Sequence, residues 1–424
     1  MILVFVSNVT PRLSYVFDFI FGVREIAYKL TVDEDEFSSF QGHKLNYSGQ
    51  TLSGKQISPA SICFDATIEN HNVEWGGNNK WNCLSFNGEH DPIASIFFTL
   101  TRYEEYLLPS SELDEHGRFP YSKSILAEND AVEKANCDRW AHAILQFIDS
   151  EWVRIPKDVL MIPTFDIDNT FAYKLKKGKR MILSLIKDIF WGNKTRIKER
   201  SEVLNGAQDP YDTFDLISKI GIQFPQTLVF WLVGKRGKKD RNIPIEDKQH
   251  QAVIKAMEQH VEVNLHPSYA SNSKSSLISA EKKALSEVIG RPIVRSRQHF
   301  LRFNVKNTFN ALVSSGFTNE YSMGFAEHVG FRSGTSHAHN WFDLTANKQT
   351  DLMIHPFVYM DGTLNEYMNL SLDQSKKRIT SLYKEVEEFG GDFIFLWHNE
   401  TIGDYGKWKG WSEILDFTLK LKDE

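Results

Sequence analysis

The chain reads as an α/β protein: an irregular (β/α) barrel over residues 153–424, preceded by a smaller α/β domain over residues 1–152. Three observations predict this. Its 424 residues exceed the size at which one hydrophobic core stops growing, so two domains are expected. Past residue 152, short apolar runs alternate with stretches of helical spacing, the pattern of βα units on a parallel sheet. Three of those runs also end in side chains able to bind metal or move protons, as strand ends at a barrel mouth do.

In the first part, Ile2 to Val6 form an apolar run that reads as a buried strand. A secretory leader would carry a basic segment before such a run and a small-residue cleavage site after it. Here Pro11, Arg12 and Asp18 interrupt it instead. Polar turns are expected at 46–54 and 76–80. Ile93, Ile96, Phe97, Leu100 and Tyr103 predict a helix over 93–107, and a second helix is predicted over 131–148. The charged stretch 112–121 reads as a surface loop. No catalytic constellation is visible before residue 150.

In the second part, strands are expected at 159–165, 227–233, 261–265 and 393–397. Between them, helices are expected at 212–220, 248–260 and 280–289. The last of these stops at Gly290 before Pro292, an ordinary C-terminal signal. Ile379, Leu382, Tyr383, Val386 and Phe389 mark another helix, ended by Gly390 and Gly391.

A net charge of -6 gives no electrostatic case for nucleic acid. Cys63, Cys83 and Cys137 are too few for a disulfide framework and form no CxxC pair; reduced thiols and a cytoplasmic location are expected. No window approaches the ~20 apolar residues of a membrane span. The segment 174–200 is unusual, with ten Lys and Arg against Asp188 and Glu199, around the apolar stretch 181–191. It reads either as a solvated insertion packed on the barrel or as a helix in weak contact with an anionic membrane surface.

The three telling strand ends are Thr164-Phe165-Asp166-Ile167-Asp168, Asn264-Leu265-His266-Pro267-Ser268-Tyr269 and Leu396-Trp397-His398-Asn399-Glu400. One carboxylate or imidazole after a strand is often only a turn former. Three, separated by βα units, point to a shared site. The chemistry they suggest is metal-assisted hydrolysis, with an ion held by a carboxylate and imidazoles, a second carboxylate as base and a histidine as acid.

These motifs, with Gly324-Phe325 and Gly330-Phe331-Arg332-Ser333-Gly334, resemble the ordered motifs of the polysaccharide deacetylase superfamily. The stretch Phe97 to Tyr106 is similar to an accessory domain of unestablished function that precedes such catalytic domains in some bacterial proteins. The resemblance implies a barrel of the deacetylase type, Asp166 as general base, Asp168 and His266 as metal ligands, and His398 as general acid. Two departures matter. Ile167 separates aspartates that are usually adjacent, although residues two apart on a strand still share a face. Ala270 stands where the second imidazole ligand is expected, and His299 is taken as its replacement. His337, His339 and His355 are spare imidazoles that could displace it. Arg297 would orient Asp166, while Arg332, Tyr269 and Trp397 are candidate substrate contacts. Arg332 could instead pair with Glu320 or Glu327, and Asp361 reads as a turn residue.

The expected activity is removal of acetyl groups from an N- or O-acetylated sugar or polysaccharide precursor. Zinc is the first choice of metal, with cobalt, nickel or iron as alternatives. Two other readings stay open. One is a hydrolase of other non-peptide C–N bonds; the other is a non-catalytic glycan-binding protein with a degenerate site.

Overall fold

The computed structural model of the chain describes residues 1–77, 80–156, 158–176 and 178–423. In the first third, β1 (Ile2–Val6), β2 (Tyr28–Thr31), β3 (Lys44–Tyr47) and β4 (Lys55–Gln56) run parallel in the order β2-β1-β3-β4. Wholly apolar β1 lies between two neighbours and is buried along its length. The helix Pro11–Phe21 follows, started by the Thr10 hydroxyl accepting from the Leu13 amide and by a proline in its first turn. A small antiparallel sheet comprises β5 (Val73–Gly77), β6 (Asn82–Phe86) and β7 (Glu89–His90). The turn expected at 76–80 falls between β5 and β6, with residues 78 and 79 outside the described residues.

Among the described residues, nine further strands make one large sheet: β8 (Leu160–Ile167), β9 (Leu228–Leu232), β10 (Glu262–His266), β11 (Arg295–Ser296), β12 (Asn319–Glu320), β13 (His339–Asp343), β14 (Lys348–Ile354), β15 (Tyr359–Met360) and β16 (Asp392–His398). Their order is β13-β14-β12-β11-β10-β9-β8-β16-β15. Every pair is parallel except β13 with β14, so the sheet is mixed. Helices cross between the parallel strands at Phe214–Gln223, Lys248–Glu258, Ser276–Ile289 and Leu372–Phe389.

This sheet is strongly curved. On a flat sheet β8 and β11, three strands apart, would be separated by about 14 Å at ~4.8 Å per step. Arg297, just past β11, nevertheless hydrogen-bonds Thr164 and Asp166 of β8. An apolar cluster of Ile162, Leu228, Phe230, Tyr321, Met360, Ile394 and Leu396 likewise draws on strands far apart in the sheet order. The alternate residues Phe165, Val229, Trp231, Phe393, Phe395 and Trp397 point the other way, into the core shared with Ile379, Leu382 and Val386 of the covering helix.

The helix predicted over 93–107 is two helices, Pro92–Leu100 and Tyr103–Leu107. Arg102 breaks it at φ 54°. Its buried guanidinium serves a larger contact, donating to Glu104, Glu105 and the Arg332 carbonyl. Tertiary hydrogen bonding thus overrides helical spacing here. Glu105 also receives a two-pronged contact from Arg332 at 3.0 and 2.8 Å. Around this pair the chain from Gly330 to Gly334 lies against the first third. Phe331 donates to the Val132 carbonyl, and the Cys137 amide donates to the Gly334 carbonyl. Gly334 has φ 70°, and a Cβ there would come within 2.7 Å of Thr99 and 2.8 Å of Cys137, so the contact requires glycine.

Replacing Glu105 by alanine leaves two buried guanidinium groups short of their carboxylate. Such losses cost about 3–5 kcal/mol, and a clear fall in the urea unfolding midpoint is expected.

Candidate active site

Asp166 ends the inward face of β8, and Asp168, two residues on, keeps the same side. His266 is the last residue of β10 and His398 the last of β16, where it pairs in register with Asp166. His299 follows β11 and begins a tight turn in which Phe300 and Leu301 both take positive φ, 63° and 50°. Bulky side chains rarely adopt that conformation. The turn reverses the chain immediately after His299.

The structure brings Asp168, His266 and His299 together, each offering a ligand atom within 4.8 Å of the others. His266 Nε2 lies 3.2 Å from Asp168 Oδ1, and His299 Nε2 lies 3.3 Å from Asp168 Oδ2. His266 Nδ1 faces the Arg297 carbonyl. A carbonyl only accepts, so Nδ1 carries the proton and Nε2 presents its lone pair. His299 Nδ1 contacts Asp240 Oδ1 at 2.9 Å, which keeps a proton on Nδ1 and leaves Nε2 as the nitrogen an ion would take. Asp168 Oδ1 and His266 Nε2 are both shut off from solvent without a hydrogen-bond partner. One carboxylate, two imidazole lone pairs and orphaned buried atoms are the donor set that a divalent transition ion needs.

Asp166 adjoins this trio. Its Oδ1 accepts from Arg297 at 3.1 Å, and its Oδ2 lies 3.6 Å from His266 Nε2. Arg297 is fully buried, also donates to Thr164 and the Tyr321 carbonyl, and lies over the Phe230 ring. His398 Nε2 lies 4.0 Å from Asp168 Oδ2, while its Nδ1 meets both Asp361 oxygens at 2.9 and 3.1 Å. Asp361 follows β15 and also accepts from the His398 and Gly362 amides and the Thr401 hydroxyl.

The electrostatics follow these contacts. Desolvation raises the Asp168 carboxyl, but the adjacent His299, with His266 and His398 beside it, outweighs this and holds the group well below the usual range. Desolvation lowers His299, yet Asp168 and Asp240 raise it to about 9. His398 is lowered by desolvation and raised more strongly by Asp361, ending well above an ordinary histidine. Desolvation and the Asp168 charge both raise Glu400, which lines the same cleft.

The cleft over these groups has a volume of about 390 Å³. Its walls include Tyr211, Tyr367, Tyr405 and Trp408, together with Arg118. Arg118 belongs to the stretch 112–121, expected to be a surface loop without a part in the site. That stretch instead folds over the mouth: Arg118 is buried, paired with Asp114 and bonded to the Phe300 carbonyl.

Three expected substrate contacts lie elsewhere. Arg332 is buried with its guanidinium on Glu105 and the Gly324 carbonyl, and it pairs with neither Glu320 nor Glu327. Trp397 alternates with His398 on β16 and therefore faces the helix-covered core. Tyr269 is held under Arg302 and against Phe300, with its hydroxyl on His116. The spare imidazoles are also apart from the trio. His339 is pushed down to about 4 by burial, and His355, stacked on Tyr321, to about 3. His337 packs against Phe19 near Asp138.

Asp240, Arg118 and the cleft aromatics carry no recognised role in the sequence, and Asp361, read there as a turn residue, instead holds His398. Asp361 did carry a signal, since it follows a strand end as the other site residues do. Asp240 lies in the basic run Lys235 to Arg241, where nothing marks one acid as a histidine partner.

Comparison with known proteins adds the following. Residues 2–153 match a family of unknown function, DUF7033. No curated protein matches the chain. Among solved structures, a protein from Mycobacterium smegmatis assigned as a polysaccharide deacetylase is 13% identical, with a TM-score of 0.40 over 64% of this chain and 86% of that one. A polysaccharide deacetylase from Bacillus cereus is 10% identical, with a TM-score of 0.31 over 62% and 86%. A glycoside hydrolase of family GH138 targeting pectin rhamnogalacturonan II is 9% identical, with a TM-score of 0.28 over 96% of this chain and 47% of its own. Scores this low leave activity to be argued from the site itself.

Elemental analysis after incubation with zinc or cobalt is expected to find a single ion per chain, lost in Asp168→Ala and in His266→Ala. Asp240→Asn removes only the support of His299 and should weaken metal affinity by about 10–100-fold.

Proposed function

We propose that this chain is a divalent-metal-dependent hydrolase that removes acetyl groups from an N- or O-acetylated sugar or polysaccharide precursor. The observation that carries the reading is one cleft holding the Asp168–His266–His299 donor set beside Asp166 and within reach of the His398–Asp361 pair. Asp168, His266 and His299 would hold the ion, zinc by preference, with cobalt, nickel or iron as alternatives. When bound, the ion supplies a Lewis acid for an acyl carbonyl and lowers the pKa of water.

The protein's own groups then divide the proton transfers. Asp166, oriented through Oδ1 by Arg297, keeps Oδ2 to accept a proton from the attacking water. His398, charged and held through Nδ1 by Asp361, donates from Nε2 to the departing amine or alkoxide. Tyr211, Tyr367, Tyr405 and Trp408 offer ring faces on which a sugar can stack.

The strong curvature of the large sheet supports closure as an irregular barrel of the deacetylase type. Residues 1–152 we take as an accessory domain that lends Arg118 to the mouth. The buried thiols Cys63, Cys83 and Cys137 favour a reducing, cytoplasmic setting. Among the described residues, no helix is long and apolar enough to cross a membrane.

The test is acetate release from N-acetylated and O-acetylated oligosaccharides by the metal-loaded protein. Asp166→Asn should retain metal and lose about 10²–10⁴-fold in kcat. Equal turnover by that variant would remove Asp166 from the mechanism, and no release from either substrate type would sink the deacetylase reading. The raised pKa keeps His398 protonated to higher pH than an ordinary histidine. Asp361→Asn removes its largest upward influence, so the alkaline limb of the kcat profile should move to lower pH.

A further inference from the structure

Helix Lys179–Phe190 is built with its apolar side outward. Ile182, Leu183, Ile186, Ile189, Phe190 and the following Trp191 are 53%, 65%, 55%, 59%, 82% and 73% exposed. These are six of the eighteen exposed large apolar side chains among the described residues. At about 100° per residue, those on the helix occupy an arc of roughly 120°. The opposite side is held by polar contacts. Ser184 and Asp188 receive Arg200, and Asp188 also receives Arg196, from the next helix, Lys194–Leu204. An amphipathic helix that packs on its own protein normally does the reverse.

The charge around this row is equally distinctive. Segments 174–200 and 235–241 hold fifteen basic and three acidic residues, in a chain whose net charge is -6; Lys177 among them lies outside the described residues. Beside the helix is a cavity of about 980 Å³ whose walls include Lys187, Arg196, Arg236 and Lys238. Lys187 stands between the apolar arc and this cavity. Tyr211 is a wall of both this cavity and the catalytic cleft.

We propose that helix Lys179–Phe190 and the basic cavity beside it form a docking surface for an anionic lipid bilayer. The apolar row enters the boundary between headgroups and acyl chains, with Trp191 at the interface. The exposed Lys187, Arg236, Lys238 and Lys239 take the anionic headgroups. Charge complementarity selects this occupant over an isologous dimer of this chain, which would set the basic patch against itself. The catalytic mouth then opens beside the docked face. The proposal stands on the surface alone and does not depend on the chemistry of the cleft.

Co-sedimentation of the full chain with vesicles tests it, comparing phosphatidylcholine alone with phosphatidylcholine containing phosphatidylglycerol. Binding should be about tenfold or more tighter on the anionic vesicles and weaken with added salt. Ile186→Asp combined with Phe190→Asp should lose about tenfold or more of that binding, with unchanged circular dichroism showing that the fold is kept. Lys187→Glu with Arg236→Glu should remove the preference for anionic lipid. The proposal is overturned by absence of binding to anionic vesicles or by equal binding of the apolar-row variant. It is also overturned if light scattering shows a parent dimer that the same variant dissolves.

Discussion

Carboxylates withdrawn from water at the end of a strand stay ionised only if positive charge and hydrogen bonds meet them. Asp166 and Asp168 impose that condition on this fold. Arg297 meets the first, and His299 and His398 face the second. Those partners need balance in turn. Asp240 stands behind His299 and Asp361 behind His398. The result is a chain of alternating charge running through the ends of β8 and β16 and the turns after β11 and β15.

That chain of charge explains features that would otherwise look costly. Two consecutive residues at positive φ after β11 are tolerated because they bring His299 to Asp168. Burial of Arg297 inside an apolar shell of Phe230 and Phe357 is tolerated because Thr164, Asp166 and the Tyr321 carbonyl take its donors. The first third of the chain adds a second buried ionic centre, in which Glu105 answers Arg102 and Arg332. It fixes the segment 330–334 against that part of the protein, while the stretch carrying Arg118 reaches the mouth of the cleft.

Much of the large sheet was legible from residue pattern. The expected strands at 159–165, 227–233, 261–265 and 393–397 correspond to β8, β9, β10 and β16 within a few residues, because each is a dense apolar run between helical segments. The short strands β12 and β15 and the antiparallel β13–β14 hairpin escaped. A two-residue strand has no periodicity, and β14 begins with the polar run Lys348 to Asp351. The site divides along similar lines. Asp166, Asp168, His266 and His398 close recognisable apolar runs. Arg332 and Trp397 misled because motif membership does not say which way a side chain points; for Trp397 the alternation with His398 already held the answer.

The sequence by itself determined the α/β class, the alternation of helix and strand, and the strand ends at which reactive side chains gather, since all three depend on local spacing. Tertiary structure alone decided that His299 completes the trio, that Asp240 and Asp361 support the histidines, and that a loop from the first third covers the cleft. These contacts join residues from about forty to nearly two hundred positions apart, so no local spacing could reveal them.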